Sequence, residues 1–139
     1  MDTSHSVLVV DDSHAMTAIL RRLLHEIGYT DVDQVHDGGS ALENLSRKPY
    51  GLMISDWEMP TMNGPQLVKA IRENPALVDP CMILITAHGL RQDEAWLVGA
   101  DGYLSKPFTA PMLREKIEEV FSTFTDQTKA ASWMAIQRS

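Results

Sequence analysis

Short apolar runs alternate with helical periodicity along this chain. The runs are Val7–Val10, Val32–Val35, Leu52–Ile54, Met82–Ile85 and Tyr103–Leu104. The first and fourth are almost wholly apolar, as parallel strands covered on both faces require. Val32-Asp33-Gln34-Val35 is far more polar, which suits the edge of a sheet. After the first run, Met16, Ile19, Leu20, Leu23, Leu24 and Ile27 recur with a 3.6-residue period. Ser13 is placed to cap that helix and Gly28 to end it. Ser40-Ala41-Leu42-Glu43 has the form of a capping box for a second helix, with Asp37 as a rival cap. A third helix follows Asn63-Gly64-Pro65 and carries Leu67, Val68 and Ile71. A short fourth segment, Leu90–Val98, contains Trp96 and stops at Gly99. The last helix starts near Thr109, has Pro111 in its first turn, and carries Leu113, Ile117, Val120, Phe121 and Phe124.

This (βα)5 pattern predicts an α/β fold, a doubly wound parallel sheet with helices on both faces. Right-handed crossovers leave few topologies. The strand order 2-1-3-4-5 puts the polar second strand at an edge. Residues 1–124 read as one domain. Residues 125–139 fall outside the pattern and form a tail, either frayed or a short helix around Trp133 docked on the domain or on a partner.

Composition narrows the function. The 139 residues carry 19 acids against 12 bases, a formal charge of −7, which disfavours a phosphate-backbone partner. A lone Cys81, read as a semi-buried hydrophobe, excludes an internal disulfide and a multi-cysteine zinc site. The amino terminus has neither a basic n-region nor a long apolar stretch, and no run is long enough to cross a membrane. The expectation is a cytoplasmic protein with no nucleic-acid partner and no membrane insertion.

In such sheets ligands bind beyond the carboxyl ends of the strands. There the chain places Asp11 and Asp12 after strand 1, Asp56 after strand 3, Thr86 after strand 4 and Lys106 after strand 5. Alone, each has a blander reading as a turn, cap or loop residue; the case rests on their joint placement. Three carboxylates at one rim repel, and a divalent cation resolves the conflict. Hard oxygen ligands, only two or three of them from protein side chains, favour Mg2+. A metal, an ammonium and a hydroxyl around one carboxylate suit phosphoryl transfer onto an oxygen nucleophile. A Mg2+-dependent phosphohydrolase of the haloacid dehalogenase type is a rival, since Asp56-Trp57-Glu58 mimics its Asp-x-Asp motif. Its nucleophile, however, follows the first strand.

Val7-Leu8-Val9-Val10-Asp11-Asp12-Ser13, Ile54-Ser55-Asp56-Trp57-Glu58-Met59-Pro60, Ile85-Thr86-Ala87 and Gly102-Tyr103-Leu104-Ser105-Lys106-Pro107-Phe108 together resemble the response-regulator receiver family, and most closely its single-domain chemotaxis members. The resemblance covers residues 6 to about 124 and implies the same 2-1-3-4-5 order, so that order is not independent of it. It implies that Asp56 is the phosphoacceptor. Asp12 and Asp56 would be direct Mg2+ ligands, with Asp11 acting largely through water and the Glu58 backbone carbonyl completing the set. Thr86 resembles the switch hydroxyl, Tyr103 the aromatic switch and Lys106 the phosphoryl-pairing lysine. Lys106–Pro107 resembles the family's cis peptide.

The implied partners are a sensor histidine kinase or phosphotransfer protein and a downstream protein that reads the surface of segment 4, strand 5 and helix 5. The implied function is that of a phosphoacceptor signalling protein of the chemotaxis or motility type, one that assists its own phosphotransfer and autodephosphorylation. A phosphate sink or phosphorelay intermediate, and a non-phosphorylated pseudo-receiver, are the alternatives. Glu58 and His88 fall at variable positions that tune phosphoryl lifetime in the family. The stretch between Thr86 and Lys106 is slightly short for the family, which points to an altered output face. Trp57 is expected near the site. Met59, Met62 and Met82 read as packing residues, and His5, His14, His25 and His36 as surface or cap residues.

Overall fold

The computed structural model describes residues 2–87 and 99–122. The expectations for His88, Leu90–Val98 with Trp96, and the tail at 125–139 lie outside the described residues. The elements in order are β1 (Val7–Val10), α1 (His14–Ile27), β2 (Val32–Val35), α2 (Gly38–Arg47), β3 (Leu52–Asp56), α3 (Gly64–Glu73), β4 (Cys81–Thr86) and β5 (Gly102–Ser105). Residues 110–122 are helical and are called α4. All five strands are parallel, in the order β2-β1-β3-β4-β5. The polar second strand is at the edge, as its composition predicts.

Alternate strand residues feed two apolar layers. Leu8, Val10, Met53, Met82 and Leu84 face Ala41, Leu45, Leu67, Val68 and Ile71 of α2 and α3. Val7, Val9, Leu52, Ile54, Ile83 and Ile85 face Leu20 and Leu24 of α1 and Leu113, Ile117 and Val120 of α4. Every residue of β1 and β4 is buried, including Cys81. Each buried Val, Leu or Ile contributes about 1.5–3 kcal/mol relative to exposure. That explains why these strands carry no alternation: neither face meets water.

Local chemistry sets the helix ends. The Ser13 hydroxyl accepts from Met16 N, and Gly28 (φ 127°) closes α1 with its N–H on Leu24 and His25 carbonyls. The capping box expected from Ser40 does not form. Helix α2 begins earlier, at Gly38, and Asp37 caps it by accepting from Ser40 N at 2.7 Å. Gly38 packs against Met62, where a Cβ would lie 2.5 Å from the sulfur, so a larger residue there would require the Met62 side chain to shift. Helix α3 has a capping box that the sequence reading missed: Asn63 accepts from Gln66 N, and Gln66 accepts from Asn63 N. The Thr109 hydroxyl accepts from Met112 N at the start of α4. Among the described residues, no helix is long and apolar enough to cross a membrane.

Candidate functional site

Register brings the polar residues to one rim. Val10 lies beside Ser55, Asp56 beside Ile85, and Thr86 beside Ser105, so the residues that close or follow four adjacent strands emerge together. Strand β3 runs two residues beyond its apolar run, through buried Ser55 to Asp56. The Ser55 hydroxyl donates to the Asp56 carbonyl, which satisfies that buried group inside the sheet. Next, Trp57 N donates to Ile85 O and Gly64 N to Trp57 O. A Cβ at Gly64 would lie 2.6 Å from the Asp56 carbonyl oxygen, so only glycine lets α3 approach the end of β3 this closely. Sequence reading placed Gly64 at a helix start and missed this contact. Thr61, in the same loop, adopts φ 68°, a left-handed conformation that a β-branched residue rarely takes.

Asp11, Asp12 and Asp56 each offer a carboxylate oxygen within 4.8 Å of the others. Asp11 and Asp56 are buried and Asp12 is exposed. Lys106 Nζ lies 3.0 Å from Asp56 Oδ1 and 3.9 Å from Asp11 Oδ2. Burial pushes the Asp11 carboxyl up to about 6; the Ser13 backbone N–H, 2.9 Å from Asp11 Oδ1, opposes this, the Asp56 charge adds to it and Lys106 opposes it. Burial also raises Asp56, against the hydrogen bond and charge of Lys106. One ammonium is therefore too little positive charge for three carboxylates. Hard oxygen donors, closely spaced and under-neutralised, fit a divalent cation of the Mg2+ type.

Thr86 is fully buried at the end of β4, and its carbonyl accepts from Lys106 N at 2.8 Å. The Lys106–Pro107 peptide is cis, as the resemblance implied. Tyr103 is half-buried on β5, packed against the layer that contains Leu84, with the Lys116 ammonium 5.9 Å from its ring centroid. Glu58 is exposed in the loop after β3. Trp57 is buried in the core directly after Asp56, and Met59 and Met82 pack in the same layer with Met62 against it. His14 and His36 form a feature that the sequence reading missed. Their rings stack at 3.6 Å, and His36 Nε2 lies 3.2 Å from the buried Thr17 hydroxyl. No periodic signal could have shown this, because the pair joins α1 to the loop after β2.

The chain matches the profile of the response regulator receiver domain over residues 7–118. It is 38% identical over 117 residues to the chemotaxis protein CheY of Pseudomonas aeruginosa, covering 83% of this chain and 94% of that protein. It is 35% identical over 123 residues to CheY-3 of Vibrio cholerae, covering 87% and 95%. Among solved structures, the chemotaxis response regulator CheY4 of Vibrio cholerae superposes with a TM-score of 0.77 at 32% identity, over 85% of this chain and 99% of that one. A putative response regulator from Chloroflexus aurantiacus gives 0.79 at 26% identity, over 86% and 98%.

Proposed function

The chain belongs to the response regulator receiver family of two-component signalling, and from that premise we propose that it accepts a phosphoryl group on Asp56 and signals through protein contact. The observation that carries this reading is the Asp56 carboxylate, buried at a strand end between the Lys106 ammonium and two further carboxylates.

A carboxylate oxygen of Asp56 attacks the phosphorus of a phosphohistidine on a sensor kinase or phosphotransfer protein. The new O–P bond forms as the P–N bond breaks, and the imidazole leaves with the electron pair. Asp12 and Asp56, the Glu58 backbone carbonyl and, largely through water, Asp11 would hold Mg2+. When bound, the cation neutralises charge on the phosphoryl oxygens and on the carboxylates around them. Lys106, already 3.0 Å from Asp56, pairs with a phosphoryl oxygen, and the Thr86 hydroxyl donates to another. The phosphoryl group adds about −1.5 to −2 of charge. These bonds favour one of two pre-existing conformations, and Tyr103 follows Thr86 inward. Water later attacks the phosphorus; its oxygen forms the new O–P bond, the bond to Asp56 breaks with the electron pair returning to the carboxylate, and inorganic phosphate leaves. Glu58 and His88 set the rate of that step; autodephosphorylation rates of Glu58→Ala and His88→Ala equal to wild type would remove them from this role.

The receiver function is assigned to residues 1–124, and residues 125–139 have no part in the proposed chemistry. Output leaves by the face of β5 and α4, toward a partner of the chemotaxis or motility type in the cytoplasm. The test is incubation with acetyl phosphate and Mg2+, read by intact mass. Wild type gains one phosphoryl group and Asp56→Asn gains none. No gain in wild type, or an equal gain in the variant, overturns the assignment.

A further inference from the structure

Lys116 is three-quarters buried, with side-chain exposure of 23%, whereas its ion-pair partner Glu119, 3.1 Å away, is 64% exposed. The lysine stem therefore lies along the sheet rather than extending into solvent. Its seat is made by Gly102. A Cβ there would fall 2.6 Å from Val120 Cγ1 and 3.4 Å from Lys116 Cδ, so the missing side chain lets α4 settle directly on β5. The Lys116 stem then crosses the strand at Gly102 and delivers its ammonium 5.9 Å from the ring centroid of the next residue, Tyr103. An ammonium at that range is attracted by an aromatic ring. Glu119 neutralises the ammonium on its solvent side and limits its freedom to leave.

We infer that Lys116 is a positioning residue for the switch: its stem rests on Gly102, and its ammonium, tethered by Glu119, holds the Tyr103 ring in its half-exposed orientation. The inference rests on the proposed role of Tyr103 as the side chain that moves when Asp56 is phosphorylated. Lys116 thereby opposes the inward state, and a partner that draws the ammonium away releases the ring. The chemistry of such a partner is an acidic side chain presented to the β5–α4 face.

The experiment uses full-length protein with 13C-ring-labelled tyrosine. Tyr103→Phe assigns the signal, and Tyr29 and Tyr50 serve as internal references. In Lys116→Met, which keeps an unbranched stem and loses the charge, the Tyr103 resonance shifts while the references stay. Lys116→Arg, which keeps the cation, restores it. Titration with beryllofluoride and Mg2+ moves Tyr103 at about two- to fivefold lower concentration in Lys116→Met than in wild type. An unchanged resonance and midpoint in Lys116→Met overturn the inference, as does a Lys116→Arg variant displaced as far as Lys116→Met, since stem packing alone would then be responsible. If Tyr103 in wild type ignores beryllofluoride while Lys116→Met still shifts the ring in the free protein, the positioning role stands and the switch reading falls. If Tyr103 moves identically in wild type and Lys116→Met, the switch reading stands and the Lys116 inference falls.

Discussion

The two rims of the sheet both gather acids around one cation, yet they are built to opposite ends. At the amino-terminal rim of β4 and β5, the Arg72 guanidinium donates to Gly99 O, to Asp79 at 3.0 Å and to Asp101 at 3.0 Å. Asp101 in turn accepts from Met82 N at 2.7 Å. There the planar fork is nearly saturated, and the acids are held by hydrogen bonds as well as by charge. At the carboxyl rim, three carboxylates share one lysine, and burial drives Asp11 and Asp56 toward their protonated forms. The first arrangement joins α3 to the strands. The second leaves electrostatic demand unmet within the chain, which fits the cation site proposed for Asp11, Asp12 and Asp56.

The largest expected effect tests the unmet demand. Folded Asp11 holds its proton up to about pH 6, against an ordinary value of 3.8, so between these pH values the folded state binds more protons than the unfolded one. Stability in EDTA therefore falls as pH rises from about 4 to about 6, and Asp56 acts in the same direction. Asp11→Asn relieves the repulsion and should stabilise the metal-free protein at pH 7 by up to about 3 kcal/mol in urea denaturation. Added Mg2+ should raise the midpoint of wild type more than that of the variant. Destabilisation by Asp11→Asn in EDTA would break the comparison.

The opposite rim should respond with the opposite sign. Arg72→Met strands two half-buried acids and frees the Gly99 carbonyl, a loss of about 2 kcal/mol that added Mg2+ does not restore. A neutral result in the same denaturation assay would mean that this rim is as slack as the other. Next, Gly64→Ala drives a Cβ against the Asp56 carbonyl and should cost about 1–2 kcal/mol. It should also weaken Mg2+ affinity, read by Trp fluorescence, because β3 must shift. The smallest effect is at Thr61, where glycine relieves the left-handed backbone but loosens the unfolded chain, leaving a net gain of about 0.5 kcal/mol in thermal unfolding.

What was legible in the sequence follows the same division. Strands β1 and β4 announced themselves because burial on both faces leaves only apolar residues, and β2 because an edge admits Asp33 and Gln34. The rim residues were legible because each directly closes or follows such a run. The α2 cap was left between Asp37 and Ser40, since both satisfy the local pattern; the folded chain uses Asp37, directly before Gly38. The end of β3 was placed short because Ser55 interrupts the apolar run; its hydroxyl finds a partner only in the folded strand. Arg72 with Asp79 and Asp101, the His14–His36 stack and Lys116 over Tyr103 each join segments far apart or on different elements. No spacing in one dimension encodes them.

The central claim is that Asp56, rather than its neighbours Asp11 and Asp12, takes the phosphoryl group. Protein treated with acetyl phosphate and Mg2+ should be reduced with borohydride, which converts an acyl phosphate to an alcohol, and then digested and sequenced by mass spectrometry. The account predicts homoserine at position 56 and intact aspartate at 11 and 12. Homoserine at 11 or 12, or at none of the three, would contradict it.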